Sequence, residues 1–485
     1  GSALGLMKIR PVWLMNPEVA SRLLPLQAGL FDKVIFDEAS QLRVEYALPA
    51  LFRAKQAIVS GDNKQMPPSE YFSTKIDTGE EDDDDNGIDD LMTDSQRVEA
   101  EESWNRKEIK DCPDLLALAS AVLPSKRLEI HYRSEYRELI EYSNAAFYNG
   151  SLNIPAKHPV SEIRRVRPLE VIRVNTEYVE QTNPGEAARI VQLLKSYWLK
   201  TTQRPTIGVV SFNKKQADLI LRQISEEAQR NSAFAAALQE EEIREEDGED
   251  MGFFVKNLEN VQGDERDIII FSTTFGKDKN GRFRRNFGKL GQQGGERRLN
   301  VAITRAKRKV QLVTSLPVAD ISTCMAANRA PSTPRDFLQY YLDYATRLSD
   351  GRVEEAYASI EKLYKSSSRV SAVKGADSFV ADVQAYVREL GYEAVQATER
   401  GAFNLDLAIV NPKTGLFAVG VECDAPRHPL LQGAYHREVW RKAILRRSIG
   451  VIHRISSRDW YQDRARQQDL LREVVISAIG QGDDQ

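Results

Sequence analysis

Two adjacent acids end the apolar run Val34-Ile35-Phe36-Asp37-Glu38. A carboxylate at the carboxyl end of a strand can hold Mg²⁺ through water, and its neighbour can orient an attacking water. A second apolar run leads into Gly61-Asp62-Asn63-Lys64-Gln65-Met66-Pro67-Pro68. Glycine permits a tight turn, the prolines fix an extended exit, and the Gln65 amide can both donate and accept beside a phosphate or a water. His131-Tyr132-Arg133-Ser134 adds a guanidinium, whose planar fork suits a phosphate. Val261-Gln262-Gly263-Asp264-Glu265-Arg266-Asp267 places polar side chains on a loop entering a strand, within reach of a ribose or a nucleic-acid backbone. In the segment from Arg297 to Lys307, Leu299, Ala302, Ile303 and Ala306 recur at i, i+3, i+4 and i+7. This predicts a helix whose other face carries Arg298 and Arg305, two charges able to stabilise a transferred γ-phosphate. Taken singly, each stretch also fits an ordinary turn, a surface ion pair or a solvated helix.

A second set of candidates lies near the C-terminus. Asn404–Val410 alternates like a strand, Asn411–Gly415 reads as a turn, and Leu416–Asp424 as the returning strand. Glu422 and Asp424 are two apart and so are predicted to share a face, with Asp406 on the neighbouring strand. Three such carboxylates suit Mg²⁺ and phosphodiester hydrolysis, or else simply face solvent. Arg437, Arg441 and Lys442 follow on a predicted helix, as a nucleic-acid-binding face or a solvated one. Cys423 alternates with the acids and is assigned to the core, as are Trp440 and Trp460.

The elements that must position these residues read as short buried strands alternating with helices. Lys33–Phe36, Gln56–Ser60, Thr206–Ser211, Asp267–Thr273 and Lys309–Thr314 are Val- and Ile-rich, as expected of parallel strands covered on both faces. Gly185–Leu199 and Lys214–Gln229 read as helices between them, which predicts doubly wound α/β domains. From Asp377 a helix, three strands, a helix and a strand form a separate unit. The chain is long enough for several domains. Its formal net charge is −4, but acids concentrate in Glu80–Asp85 and Glu240–Asp250, blocks expected to be solvated and disordered. The remainder is basic, which suits a phosphate-binding surface. Cys112, Cys324 and Cys423 are scattered, which fits a reducing cytoplasm, and no apolar run predicts a membrane span or a secretory signal.

In order and strand context, the first group of motifs resembles motifs II to VI of superfamily 1 helicases, nonsense-decay-like branch, from Phe31 to Ser315. Asn183-Pro184-Gly185-Glu186-Ala187 and the stretch Gly208 to Gln216 are similar to large bacterial helicases with a C-terminal nuclease. The resemblance implies ATP between two RecA-like domains. Asp37 would coordinate Mg²⁺, Glu38 would activate water and Gln65 would couple the γ-phosphate to strand movement. Arg133 and Arg305 would be arginine fingers. Gly263, Glu265 and Arg298 would contact the nucleotide, with Glu265 on the ribose. A Walker A loop, G-x-x-x-x-G-K-[ST], is missing, and Gly276-Lys277 and Gly288-Lys289 do not supply it. The expectation is therefore a fragment or half of a split enzyme that hydrolyses ATP poorly alone and needs an upstream segment or subunit bearing that loop.

The C-terminal unit resembles the PD-(D/E)XK nuclease fold, very-short-patch-repair-like. That implies metal ligation by Asp406 and Glu422, with Asp424 where the general pattern has Lys, a catalytic part for His428, and Val380 where relatives carry Glu. The domains expected are 1–72, a partial first RecA-like domain; 73–125, an acidic connector; 126–345, a complete second RecA-like domain; 346–375, a linker; and 376–485, an α/β restriction-endonuclease-like domain. The implied activity is ATP-dependent DNA translocation coupled to metal-dependent endonucleolytic cleavage, in bacterial defence or repair. The alternatives are a catalytically inactive nuclease fold that docks on DNA, or an RNA helicase.

Overall fold

The computed structural model describes residues 9–66, 114–155, 158–201, 203–364, 378–396, 402–426, 428–446 and 448–480. Pro67 and Pro68, the Glu80–Asp85 run, most of the 73–125 connector, Cys112 and Ser366–Ser371 lie outside these residues. Contacts divide the chain into two compact units, Gly1–Arg127 and Leu128–Gln485.

In the first unit, β1 (Phe31–Phe36) pairs in parallel with β2 (Ala54–Val59), Phe36 opposite Val59. Helix α1 (Pro17–Leu23) precedes β1, α2 (Val44–Phe52) joins the strands, and α3 (Leu115–Val122) closes the described part. Phe36, Ala39, Ala47 and Leu115 form a small core. Arg53 is buried and ties the helices together, donating to the carbonyls of Pro25, Pro49 and Leu24 at 2.9, 2.7 and 3.0 Å. Strands covered on both faces are not found here. Ile35 and Ile58, opposite each other in the register, are 67% and 48% exposed.

The second unit begins with a five-stranded parallel sheet. Its strands are β3 (Leu169–Arg173), β4 (Ile207–Ser211), β5 (Phe254–Asn257), β6 (Arg266–Ser272) and β7 (Ala306–Thr314), in spatial order β3-β7-β6-β4-β5. Every residue of β4 is buried. A Cβ on Gly208 would lie 2.4 Å from the Phe254 ring, so glycine is required for that close approach. Helix α4 (Pro184–Lys200) packs Ala187, Ile190, Val191, Leu194 and Trp198 into this core, the spacing of one helix face. It starts at Asn183, whose side chain accepts from Glu186 N, with Pro184 in the first turn. Helix α5 (Lys214–Arg230) is capped in the same way by Asn213.

The acidic block Glu240–Asp250 is ordered, contrary to expectation. Glu240 to Glu242 end α6 (Ser232–Glu242), and Glu245–Glu246 pair with Glu249–Asp250 in a short antiparallel ladder. Arg204 and Arg244 supply the neutralising charge, with Arg204–Glu240 at 2.6 Å, Arg244–Glu241 at 3.0 Å and Arg244–Glu246 at 2.5 Å. The stretch after 345 is helical at its start and packed. Helices α8 (Pro334–Ser349) and α9 (Val353–Ile360) pack together, and Val353, Ala356 and Ile360 are buried. Tyr344, Tyr357 and Tyr364 donate to Glu138 O, Glu138 Oε1 and Glu141 Oε1 at 3.1, 2.9 and 2.5 Å.

The C-terminal part contains a four-stranded mixed sheet in the order β8 (Ala394–Gln396), β9 (Leu407–Val410), β10 (Phe417–Cys423), β11 (Val451–Ile455). The first two pairings are antiparallel and the last is parallel. Helix α10 (Ser378–Glu389) precedes the sheet, and α11 (Arg441–Leu445) lies between β10 and β11. Helices α12 (Ser457–Gln462) and α13 (Arg464–Gly480) follow β11. Trp460 is fully buried in the core, and Trp440 packs on a second cluster with Phe403 and Leu445. This part touches the parallel-sheet lobe through Ala402 N to Asn153 Oδ1 at 3.0 Å and Ser448 Oγ to Pro155 O at 3.2 Å.

Glu186 fastens the carboxyl ends of β6 and β7. It is fully buried, and its two oxygens accept from Ser272 Oγ at 2.6 Å, Thr274 N at 2.7 Å, Ser315 N at 2.8 Å and Thr273 Oγ1 at 3.2 Å. Burial pushes its carboxyl up to about 7 against the pull of these four donors. Glu186→Gln turns an NH₂ group toward a buried backbone N–H. It is expected to destabilise this unit by about 1–3 kcal/mol, measured by urea unfolding. Unchanged stability would remove the fastening role.

Candidate functional site

Asp37 and Glu38 sit at the carboxyl end of β1, where the chain leaves the sheet. Glu38 has a left-handed backbone (φ 52°), and its N–H donates to Asp37 Oδ1 at 3.0 Å. Asp37 is exposed. At the end of β2, a Cβ on Gly61 would lie 3.1 Å from the backbone nitrogens of Ala39 and Ser40, so glycine lets the two loops approach. Gln65 is held by Asp62 Oδ2 at 3.2 Å, and Ala39 N donates to Ser60 O at 2.9 Å. One exposed carboxylate beside a second acid fits Mg²⁺, which keeps several waters and takes few protein ligands. Asp37 would hold it, and the ion would neutralise phosphate charge.

Within the second unit, three stretches far apart in sequence meet around Glu265. Its Oε2 lies 2.5 Å from Arg133 Nε, and its Oε1 lies 3.0 Å from Lys307 Nζ. Burial would raise this carboxyl, but Lys307, Arg133 and Arg305 outweigh it and hold the group below the ordinary range. The sheet explains the meeting. Arg266 pairs with Ala306, so the residues just before each strand lie side by side, and Arg266 N donates to Arg305 O at 3.3 Å. Glu135 N donates to Lys307 O at 2.8 Å, which brings in the His131–Ser134 loop. His131 Nε2 lies 2.8 Å from Ser134 Oγ. Burial, then the charges of Arg133 and Arg305, lower its pKa to about 4, so a neutral imidazole stands beside two cations. Gly263 precedes this cluster in a left-handed conformation (φ 90°).

Arg305 is not on the helix predicted for it. Helix α7 (Gly295–Ile303) stops where Thr304 Oγ1 bonds back to Asn300 O and Val301 O at 2.9 and 3.0 Å, and Ala306 already belongs to β7. Arg305 is buried in the connection, with Nε donating to Val301 O at 2.8 Å. Arg298 therefore does not share a helical face with it; Arg298 pairs with Glu259 at 3.5 Å, beyond the other end of the sheet.

The C-terminal carboxylates do not form the expected trio. Strand β10 ends at Cys423, and Asp424 turns into the left-handed region (φ 68°), so Glu422 and Asp424 do not share a strand face. Asp424 Oδ1 accepts from Ser457 N at 2.8 Å, at the start of α12. Asp406 precedes β9, and its Oδ2 accepts from Cys423 N at 2.7 Å. Glu422 is buried between two guanidinium groups: Oε1 pairs with Arg441, and Oε2 lies 2.7 Å from Arg454. Among the described residues, no group of three or more His, Cys, Asp or Glu side chains could hold a metal ion. Two cations already in contact with Glu422 oppose a divalent ion there, so these residues do not fit Mg²⁺ in this arrangement.

Arg441, expected on a nucleic-acid-binding face, is fully buried; it donates to Ala402 O at 2.6 Å and to Asn404 O besides pairing with Glu422. Arg437 and Lys442 pair with Glu438 at 3.0 and 3.3 Å. Arg454, which the sequence did not single out, lies 2.7 Å from Glu438; with Arg437 and Lys442 it lowers that carboxyl to about 2. His428 Nδ1 accepts from Leu430 N at 3.2 Å and starts a short 3-10 turn, Pro429–Leu431.

Comparison with known proteins matches two separate stretches of the chain. Residues 115–316 match a family model described as "AAA domain", and residues 379–475 match one described as REase_MTES_1575. The chain resembles ATP-dependent helicases. It is 37% identical over 309 residues to "Uncharacterized ATP-dependent helicase MG140" of Mycoplasma genitalium, covering 63% of this chain and 25% of that protein. It is 24% identical over 310 residues to "Uncharacterized ATP-dependent helicase MJ0104" of Methanocaldococcus jannaschii, covering 59% and 36%. To "DNA replication ATP-dependent helicase/nuclease DNA2" of Gallus gallus it is 25% identical over 293 residues, covering 59% and 23%. The chain thus spans about a quarter to a third of the length of these relatives. No described helix is long and apolar enough to cross a membrane.

Arg441→Ala leaves Glu422 short of one cation and two carbonyls without a donor. A loss of about 3–5 kcal/mol is expected in thermal unfolding of the C-terminal part. Lys442→Ala should stay within about 0.5 kcal/mol. Equal stability of both variants with the parent would place Arg441 back at the surface.

Proposed function

We propose that this chain is part of a superfamily 1, nonsense-decay-like motor that uses ATP to move along nucleic acid. The observation that carries the reading is the meeting of Arg133, Arg305 and Lys307 around Glu265. Three motifs that the resemblance ties to one nucleotide lie within one charge cluster. Arg133 and Arg305 stabilise charge on the transferred phosphate, and Glu265 takes the ribose. Asp37 holds Mg²⁺, and Glu38 orients the water. The open apolar face at Ile35 and Ile58 supports a further segment covering β1 and β2, and we assign the phosphate-cradling loop to it.

In a polypeptide that includes that segment, Arg305→Ala is expected to lower nucleic-acid-stimulated ATP hydrolysis by about 10³-fold or more. The present chain alone should turn over less than about once per second. Rapid hydrolysis by this chain that disappears in Glu38→Gln would contradict the division of labour.

The doubly paired Glu422 favours a second assignment. The restriction-endonuclease-like domain docks the motor on DNA and does not cut it. Supercoiled plasmid should remain intact with Mg²⁺ or Mn²⁺. Nicking that needs either ion and is lost in both Asp406→Ala and Glu422→Ala would reverse this assignment.

A further inference from the structure

Between β6 and α7 the chain forms a basic hairpin that none of the assigned roles uses. Its base is rigid. Thr274, with a left-handed backbone (φ 66°), is held by the Glu186 carboxylate, and Tyr178 N donates to Lys277 O at 2.9 Å. Lys277 pairs with Phe283 across the hairpin, and Asp278 N donates to Arg282 O at 2.8 Å. Phe275 and Phe287 are buried edge to face with ring centres 5.2 Å apart, and Phe283 lies 6.0 Å from Phe287. Arg285 Nε donates to Asp320 O at 2.7 Å, clamping the returning arm.

The tip is different in kind. Lys277, Lys279, Arg282 and Arg284 are all exposed and form no salt bridge among the described residues. Several cations elsewhere on this lobe are paired, among them Arg164 with Glu354, Lys195 with Glu227, Arg308 with Glu135 and Lys309 with Glu170. The acid within the tip, Asp278, is occupied internally, its Oδ1 accepting from Asn280 N at 2.8 Å and Arg282 N at 3.0 Å. It shapes the turn and offsets part of the charge of Arg282 and Arg284. Four cations held on a stiff support, with one local acid consumed by backbone amides, make a surface for a polyanion. The hairpin leaves the carboxyl end of β6, the end of the sheet opposite the Glu265 cluster.

We propose that this tip grips the phosphate backbone of the nucleic-acid strand on which the motor moves. The inference rests on the nucleic-acid reading of the function and adds the contact surface. Each phosphate neutralised on a single strand releases counterions and contributes about 0.7 to the slope of log affinity against log salt.

The test is a titration of the present chain with fluorescein-labelled oligo(dT) over a range of NaCl concentrations. A variant with Lys277, Lys279, Arg282 and Arg284 all changed to Gln should keep its melting temperature and lose about 2–3 from the salt slope. The pair Arg282→Gln and Arg284→Gln should lose about half as much. Lys195→Gln, a paired cation on the same lobe, should lose nothing. Binding by the parent chain with an unchanged slope in the fourfold variant overturns the hairpin contact and leaves the functional reading standing. No binding by the parent chain to oligo(dT) or oligo(rU) overturns both.

Discussion

The register between β6 and β7 is the constraint on which the nucleotide-site proposal depends. Parallel pairing with Arg266 opposite Ala306 places Glu265, Arg305 and Lys307 at one edge of the sheet, although forty residues separate the first two in sequence. A slip of one residue would send these side chains to other faces and dissolve the cluster. The buried interior of the sheet fixes that register, since Ile269, Ile270, Val310 and Leu312 are all nearly inaccessible. The charged groups are thus positioned by an apolar core and then pair among themselves. The Arg133–Glu265 contact is partly exposed, so it adds little to stability. Under the proposed function, its value lies in keeping a guanidinium and a carboxylate ready for a ligand that offers each a better partner.

The opposite edge of the same sheet is held by Glu186. Its four donors come from the ends of two strands and from the loop that begins the basic hairpin. One buried carboxylate therefore links the end of β6, the end of β7 and the first turn of α4. Such a group is costly to desolvate and is tolerated because its oxygens are satisfied. In the C-terminal part a buried carboxylate is used differently. Glu422 is neutralised by two arginines, and Arg441 also satisfies two backbone carbonyls. The result is a closed network of charge in the place where the fold resemblance had suggested a metal.

Much of this was legible in the sequence because apolar runs and caps act locally. The strand Thr206–Ser211 and the helix after Asn183-Pro184 were readable to within a residue or two, since β-branched runs and Asn or Pro at a helix start carry their own physical reasons. Periodicity failed where a helix gave way to a strand without changing its pattern. Ala306 continues the apolar spacing of α7, yet Thr304 has already turned the chain. Alternation failed at Asp424 for a related reason: a left-handed residue ends the strand, and nothing in Glu-Cys-Asp announces it. Arg441 was misread because its partners, Glu422 and the carbonyls of Ala402 and Asn404, lie far from it in sequence and draw it into the interior. The ordered acidic block shows the limit of counting charge along the chain, since Arg204 reaches it from a distance in sequence.

The account stands or falls on whether the Glu265 cluster is a nucleotide-binding surface. Hydrogen exchange on a polypeptide that includes the phosphate-loop segment, with and without a non-hydrolysable ATP analogue, reads this directly. Segments 131–135, 262–266 and 300–307 should gain protection together, at one nucleotide concentration. Nucleotide binding that protects other segments and leaves these three unchanged would contradict it.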